Sequence, residues 1–174
     1  MPVLRDGDTV IVESAAIVEH LNQQHTQLPV SANAEQWTQW IDNKLVYYLP
    51  PLVHPNFRTS FRNFATVMSR EPIAGIKGFI VRLGGALVMP RVARKMKAKH
   101  KINDALAEFS MAVDHWVTKG LAGDQFFGGE QPDQVDTSVF GVLHSVHGLD
   151  ILEREQQRNA EFGRWYAACA RTMS

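Results

Sequence analysis

Cysteine is almost absent from this chain: Cys169 is the only one. A single thiol excludes an internal disulfide framework, a Cys-x-x-Cys redox pair and a cysteine-rich zinc site, and it suits a reducing compartment. Long apolar runs are missing too. The most membrane-like stretch, Ile73 to Met89, is interrupted by Lys77 and Arg82. A spanning helix needs ~20 mostly apolar residues, so only an interfacial helix stays open there. The opening Met1-Pro2-Val3-Leu4-Arg5-Asp6 turns polar at once and does not read as a secretory signal. Internal repeats and low-complexity segments are likewise absent. So are acidic residues over one long interval. Between Glu71 and Asp104 there is none, against eight basic residues: Lys77, Arg82, Arg91, Arg94, Lys95, Lys97, Lys99 and Lys101. Across the whole chain Lys+Arg and Asp+Glu are both 18 and cancel, which argues against a general nucleic-acid binder; the rest of the chain is therefore acidic.

What is present fits 174 residues of folded protein, 45% hydrophobic and 21% charged, one domain or one domain with part of another. Pro2-Val3-Leu4, the turn Arg5-Asp6-Gly7-Asp8 and the β-branched Thr9-Val10-Ile11-Val12 predict a hairpin. Glu13-Ser14 then precedes a helical stripe of Ile17, Val18 and Leu21, with Ser14 as a cap or first-turn residue. This piece, residues 1–24, is too small to bury a core alone. After a polar linker, residues 34–174 read as helical throughout. Trp37, Trp40, Ile41, Lys44, Leu45 and Tyr48 form one stripe, which Pro50-Pro51 is expected to stop. Phe57, Phe61, Phe64 and Met68 form a second. Ile76, Phe79, Ile80, Leu83 and Leu87 form a third, expected to pack closely through Gly75, Gly78, Gly84 and Gly85 and to kink or end at Pro90. Ile102, Leu106, Phe109, Val113 and Trp116 step by 4, 3, 4, 3 towards Gly120, which is expected to close that helix. Val135, Val139, Phe140, Leu143 and Val146 predict a central helix, and Phe162, Trp165, Tyr166 and Cys169 a last one facing inward. The Met and aromatic stripes are assigned to the core.

Phe127-Gly128-Gly129-Glu130-Gln131-Pro132-Asp133-Gln134-Val135-Asp136 combines an aromatic anchor, a glycine turn and a capping box, with Asp133 as N-cap and Asp136 three residues on. These residues start a helix and carry no chemistry. The basic run Arg91 to Lys101 reads first as a solvated helix face and, more sharply, as an anion site for carboxylate, propionate or lipid phosphate. His144 and His147, three apart, have the spacing of a shared metal, but no third ligand is near in sequence and no metal site is expected.

The box resembles the helix-starting box of the glutathione transferase C-terminal domain, and Pro2, the turn at Gly7 and Glu13-Ser14 resemble the second half of the thioredoxin-like domain of that superfamily. Trp37-Thr38-Gln39-Trp40-Ile41-Asp42, Val67-Met68-Ser69-Arg70-Glu71, Arg94-Lys95-Met96-Lys97-Ala98-Lys99-His100, Ala112-Val113-Asp114-His115-Trp116-Val117, Gly141-Val142-Leu143, Gly148-Leu149-Asp150 and Trp165-Tyr166 are similar, in order, to the membrane-associated prostaglandin E synthase 2 family. The resemblance implies a mainly α fold: a glutathione transferase-like C-terminal helical domain over 34–174, preceded over 1–24 by the β-β-α second half of a thioredoxin-like domain. It implies a glutathione- or thiol-dependent isomerase that turns prostaglandin H2 into prostaglandin E2. Pro2, Glu13 and Ser14 would bind glutathione, Tyr47 and Tyr48 would wall the lipid pocket, and Lys95, Lys99 and His100 would hold an anion such as a haem propionate. No catalytic residue is assigned within the chain. A small-molecule lipid substrate, a homodimer, peripheral membrane association and no nucleic acid are expected, at an intracellular address, cytoplasmic or peripheral on an organelle membrane. The family's Cys-x-x-Cys strand-helix-strand has no counterpart before Pro2, so the expectation is an N-terminally truncated member. Two rival readings are a non-catalytic interaction or membrane-docking module and a glutathione-dependent transferase of other specificity.

Overall fold

A computed structural model describes residues 3–7, 9–12, 16, 17, 20, 31, 33–68 and 75–173. The chain divides into two compact units, Met1–Val30 and Ser31–Ser174. In the first, β1 (Val3–Asp6) pairs antiparallel with β2 (Thr9–Val12), in the register Val3↔Val12 through Asp6↔Thr9. The strands run closer to the turn than the sequence suggested, since Arg5 and Asp6 belong to β1. Gly7 adopts φ 58°, the left-handed conformation that a two-residue hairpin loop requires. His20 Nε2 meets Asp6 Oδ2 at 2.9 Å. The helix expected after Ser14 lies largely outside the described residues.

The second unit is helical. α1 (Ala34–Trp40) passes through a π-helical stretch, Ile41–Leu45, into α2 (Val46–Val53). Trp37, Ile41, Leu45, Leu49 and Val53 are buried along this run at steps of four, and Pro51 is buried beside them. Steps of four drift round a 3.6-residue helix, and the wider π turn takes up the drift so that all five face the core. Pro50 and Pro51 do not stop this helix, which continues to Val53. A proline keeps helical φ and forfeits only its own donor, here to the carbonyls of Val46 and Tyr47; past the helix end His54 N–H still reaches Pro50 O at 2.9 Å.

α3 (Phe57–Met68) and α4 (Gly75–Lys99) form a packed pair, and α2 packs on α4 and on α5 (Ala105–His115). α4 does not end at Pro90, which is buried inside it. The expected core stripe of α4 is also corrected. Ile76, Phe79, Ile80, Leu83 and Leu87 are exposed, as is Phe57 on α3. Only one side of α4, at Gly78, Ala86, Pro90 and Ala93, is buried. Asp104 caps α5 by accepting the N–H groups of Leu106 and Ala107. A second π stretch, Trp116–Leu121, follows α5 and ends at Ala122, left-handed at φ 51°, rather than at Gly120. α6 (Gln134–His144) lies against α1 and α8 (Ala160–Met173), and α7 (Asp150–Arg158) against α8. Trp116, Trp165, Phe109 and Phe162 are the largest fully buried side chains, and they centre the core on α5, α6 and α8.

Candidate functional site

Tyr47 and His100 arise from different helices, and the structure brings them together. Their rings stack at a centroid distance of 3.7 Å and 21° between planes, joining α2 to the turn after α4. Beside Tyr47, burial pushes the Tyr48 phenol up, and the charge of Glu108 adds to the shift. Tyr48 therefore keeps its proton at neutral pH and can donate a hydrogen bond. Glu108 is held in place by accepting the N–H groups of Asn103 and Asp104 at 2.8 and 3.3 Å. Lys95 and Lys99 are exposed on α4, one turn apart, and His100 follows at its C-terminal end, stacked on Tyr47. Pro2, Glu13 and Ser14 lie outside the described residues.

A second constellation carries no sequence motif. His54 Nδ1 and Ser60 Oγ are 2.8 Å apart across the turn between α2 and α3. Ser60 is fully buried, and Asn63 ties the same turn down by donating to Val53 O at 2.7 Å. Burial pushes the His54 imidazole below its ordinary value, so it is neutral at pH 7. His54 lines a cavity of about 250 Å³ with Leu49, Val53, Phe64, Met89, Val146 and Leu149. A buried Ser60 cannot act as a nucleophile, and no carboxylate lines the cavity. Its chemistry is to accept an apolar group beside one neutral, hydrogen-bonding imidazole. The only hint in the sequence is a histidine at a helix end between apolar runs.

The remaining polar clusters are structural. Asp133 Oδ1 accepts from Val135 and Asp136 N–H, and Asp136 accepts from Asp133 N–H, closing the capping box. Asp136 also accepts from Phe127 N–H, Gly128 N–H and Trp165 Nε1–H at 2.8–3.2 Å. Burial pushes its carboxyl up, and those hydrogen bonds pull it back. His144 and His147 stack at 5.0 Å, and both approach the Tyr166 hydroxyl. Among the described residues no three His, Cys, Asp or Glu side chains come together as metal ligands. Cys169 is buried and its thiol is pushed up to about 12, so it supplies no thiolate at neutral pH.

Similarity to known proteins runs through the helical unit that carries these clusters. Prostaglandin E synthase 2 of Danio rerio is 27% identical over 133 residues, 76% of this chain and 35% of the relative. Prostaglandin E synthase 2 of Mus musculus is 24% identical over 139 residues, 79% of this chain and 36% of the relative. The chain thus spans about a third of the length of these curated relatives. No family profile matches it. Two relatives of one name, aligned over three quarters of the chain, make this protein a relative of the prostaglandin E synthase 2 family.

Proposed function

We propose that the chain supplies the helical part of a glutathione- or thiol-dependent isomerase that rearranges the endoperoxide of prostaglandin H2 to the hydroxy-ketone of prostaglandin E2. The similarity to two prostaglandin E synthase 2 proteins over most of the chain carries this reading. The separate hairpin unit ahead of the helical unit supports the finer architecture, a partial thioredoxin-like segment before a glutathione transferase-like helical domain. In the reaction a thiolate acts on the endoperoxide, and the product is an isomer, so no external oxidant is consumed. Cys169 cannot be that thiolate, because it is buried and its thiol is pushed up to about 12. Glutathione supplies the thiol in this reading, with Pro2, Glu13 and Ser14 as its cradle at a helix N-terminus, where N–H groups favour a carboxylate. Tyr48, held protonated, donates a hydrogen bond to a substrate oxygen, and Tyr47 with His100 forms a flat aromatic wall for the lipid. The protein works as a homodimer in this reading.

The test fuses the chain to the preceding segment of the Danio rerio relative and measures glutathione binding by calorimetry and prostaglandin E2 formation from prostaglandin H2. We expect the fusion to bind glutathione, and Ser14→Ala to weaken it by about 0.5–1.5 kcal/mol, a several-fold loss of affinity. A folded fusion that neither binds glutathione nor converts the endoperoxide, beside an active relative, overturns the reading. The second reading, a non-catalytic helical interaction module, is favoured by one observation: the chain's single thiol is sealed in the core.

A further inference from the structure

A cavity of about 500 Å³ opens between α8 and the turn that follows the second π stretch. Its floor is apolar. Leu121 and Trp165 are buried there, and the Trp165 indole N–H is already taken by Asp136 at 2.8 Å. Along α8, Arg164 and Arg171 line the cavity seven residues apart, two turns and about 10.5 Å along the helix axis. Between them Ala167 and Ala168 are too small to fill the space, which leaves a trough. The other wall is the turn itself. Ala122 and Gly123 are both left-handed, at φ 51° and 98°, and Asp124 N–H donates back to Leu121 O at 2.8 Å. That reversal carries Asp124 and Gln125 to the cavity. Arg164 has only a loose, exposed pairing with Glu161 at 3.8 Å. Among the described residues no carboxylate pairs with Arg171, no cation pairs with Asp124, and the Gln125 amide has no hydrogen-bond partner. The helix dipole favours an arginine in the last turn of α8, but it says nothing of Asp124 and Gln125 on the same cavity.

We infer that this cavity binds a zwitterion with an apolar body, of the class of a dipeptide with both ends free. The ligand's carboxylate meets the Arg171 guanidinium, whose paired N–H groups match its two oxygens. Its ammonium meets Asp124, and Gln125 bonds the peptide group between. The apolar side chain lies in the trough on Trp165 and Leu121. Charge selects this class. Asp124 and Glu161 oppose a polyanion such as a nucleotide, and Arg164 and Arg171 oppose a polyamine, so the lining favours one charge of each sign. The volume suits it too, since small-molecule pockets run to about 300–1,000 Å³. Tyr47, Tyr48 and His100 are not among the residues lining the cavity, so the site stands or falls apart from the isomerase reading.

Calorimetry on the 174-residue chain tests this with three probes. They are alanyl-phenylalanine, its N-acetyl form, which keeps only the carboxylate, and its C-terminal amide, which keeps only the ammonium. The free dipeptide is expected to bind one to one, and each blocked form about tenfold more weakly, the worth of one charge-assisted contact. Arg171→Gln is expected to weaken the free dipeptide and the acetyl form about tenfold and to leave the amide unchanged. Asp124→Asn is expected to weaken the free dipeptide and the amide and to leave the acetyl form unchanged. Ala167→Phe fills the trough and is expected to abolish binding of all three. All three substitutions fall at exposed positions, and unchanged far-ultraviolet dichroism shows that each variant still folds. No saturable heat with the free dipeptide overturns the inference. So does equal affinity for the three probes, or binding that Ala167→Phe leaves intact. Inorganic phosphate that binds more tightly than the dipeptide also overturns it and makes the cavity an anion site.

Discussion

Asp136 is a fully buried carboxylate that collects four N–H donors, from Phe127, Gly128, Asp133 and the Trp165 indole. The sequence marks it as the third residue of a capping box, and the structure makes it also the anchor between the glycine turn and α8. Asp133→Ala removes an N-cap and is expected to cost about 0.5–2 kcal/mol. Asp136→Ala strands four donors, two of them buried and two part-buried, and is expected to cost more, about 3–5 kcal/mol, both read from urea midpoints at unchanged slope. His54 tests the second constellation through pH. Its folded value lies below the ordinary 6.5, so its contribution to stability is whole above about pH 6.5 and is lost as pH falls towards the folded value. His115, lowered by burial and by Lys44 and Lys119, acts in the same direction, while the raised Asp136 carboxyl acts in the opposite one. The variant-to-native difference isolates His54. Thermal unfolding of His54→Gln between about pH 7 and about pH 5 is expected to lose less stability on acidification than the native chain.

At the scale of elements, periodicity gave α5, α6 and α8 because their buried residues keep the 3-4 rhythm of an α-helix. At α1–α2 it marked Trp37, Ile41 and Leu45, which are buried, but not the π turn that keeps this stripe of fours on one side. The prolines misled for another reason. Their rule concerns a lost donor, and it does not weigh the neighbours α2, α3 and α5 that hold the helices in place. On α4 the stripe was legible but its direction was not, since an apolar face has the same rhythm whether it meets a core or stays exposed. The pairing of Tyr47 with His100 is likewise tertiary, and no spacing along the chain announces it. The adjacent glycines of α4 separate packing from propensity. A Cβ at Gly84 meets nothing within 4 Å, while one at Gly85 falls 2.5 Å from the Phe64 ring. Gly84→Ala is therefore expected to stabilise the protein by about 0.5–1 kcal/mol, and Gly85→Ala to give no such gain, in paired denaturant titrations. Equal gains at both positions would refute the close approach of α3.

Over the whole molecule, the two units differ in what holds them. The hairpin leaves Val3, Val10 and Val12 exposed, whereas α6 buries Val135, Val139, Phe140 and Leu143. A two-stranded hairpin is marginal by itself. In hydrogen exchange on the native chain, the amides of Thr9 to Val12 are expected to exchange orders of magnitude faster than those of Val139 to Leu143. Comparable protection would mean that the hairpin is as firmly held as the core. The pairing of β1 with β2 was legible from the Asp-Gly turn and the β-branched residues after it. The glutathione cradle was legible only through the family resemblance, and its three residues fall outside the described part of the chain.

The placement of the indoles has an optical consequence. Trp37 lies edge-on to Trp40 at 5.1 Å and to Trp116 at 5.2 Å, and Trp116 lies edge-on to Trp165 at 5.3 Å, so the protein's four tryptophans form one relay. Excitation absorbed by any of them can migrate along this chain, and the emission reports the packing of α1, α5 and α8 as a single signal. None of the four lies in the hairpin unit or on α3 or α4. Intrinsic fluorescence is therefore a clean thermometer for the core and is blind to both the sheet segment and the α3–α4 pair. A fluorophore placed on α4 would be needed to follow that pair.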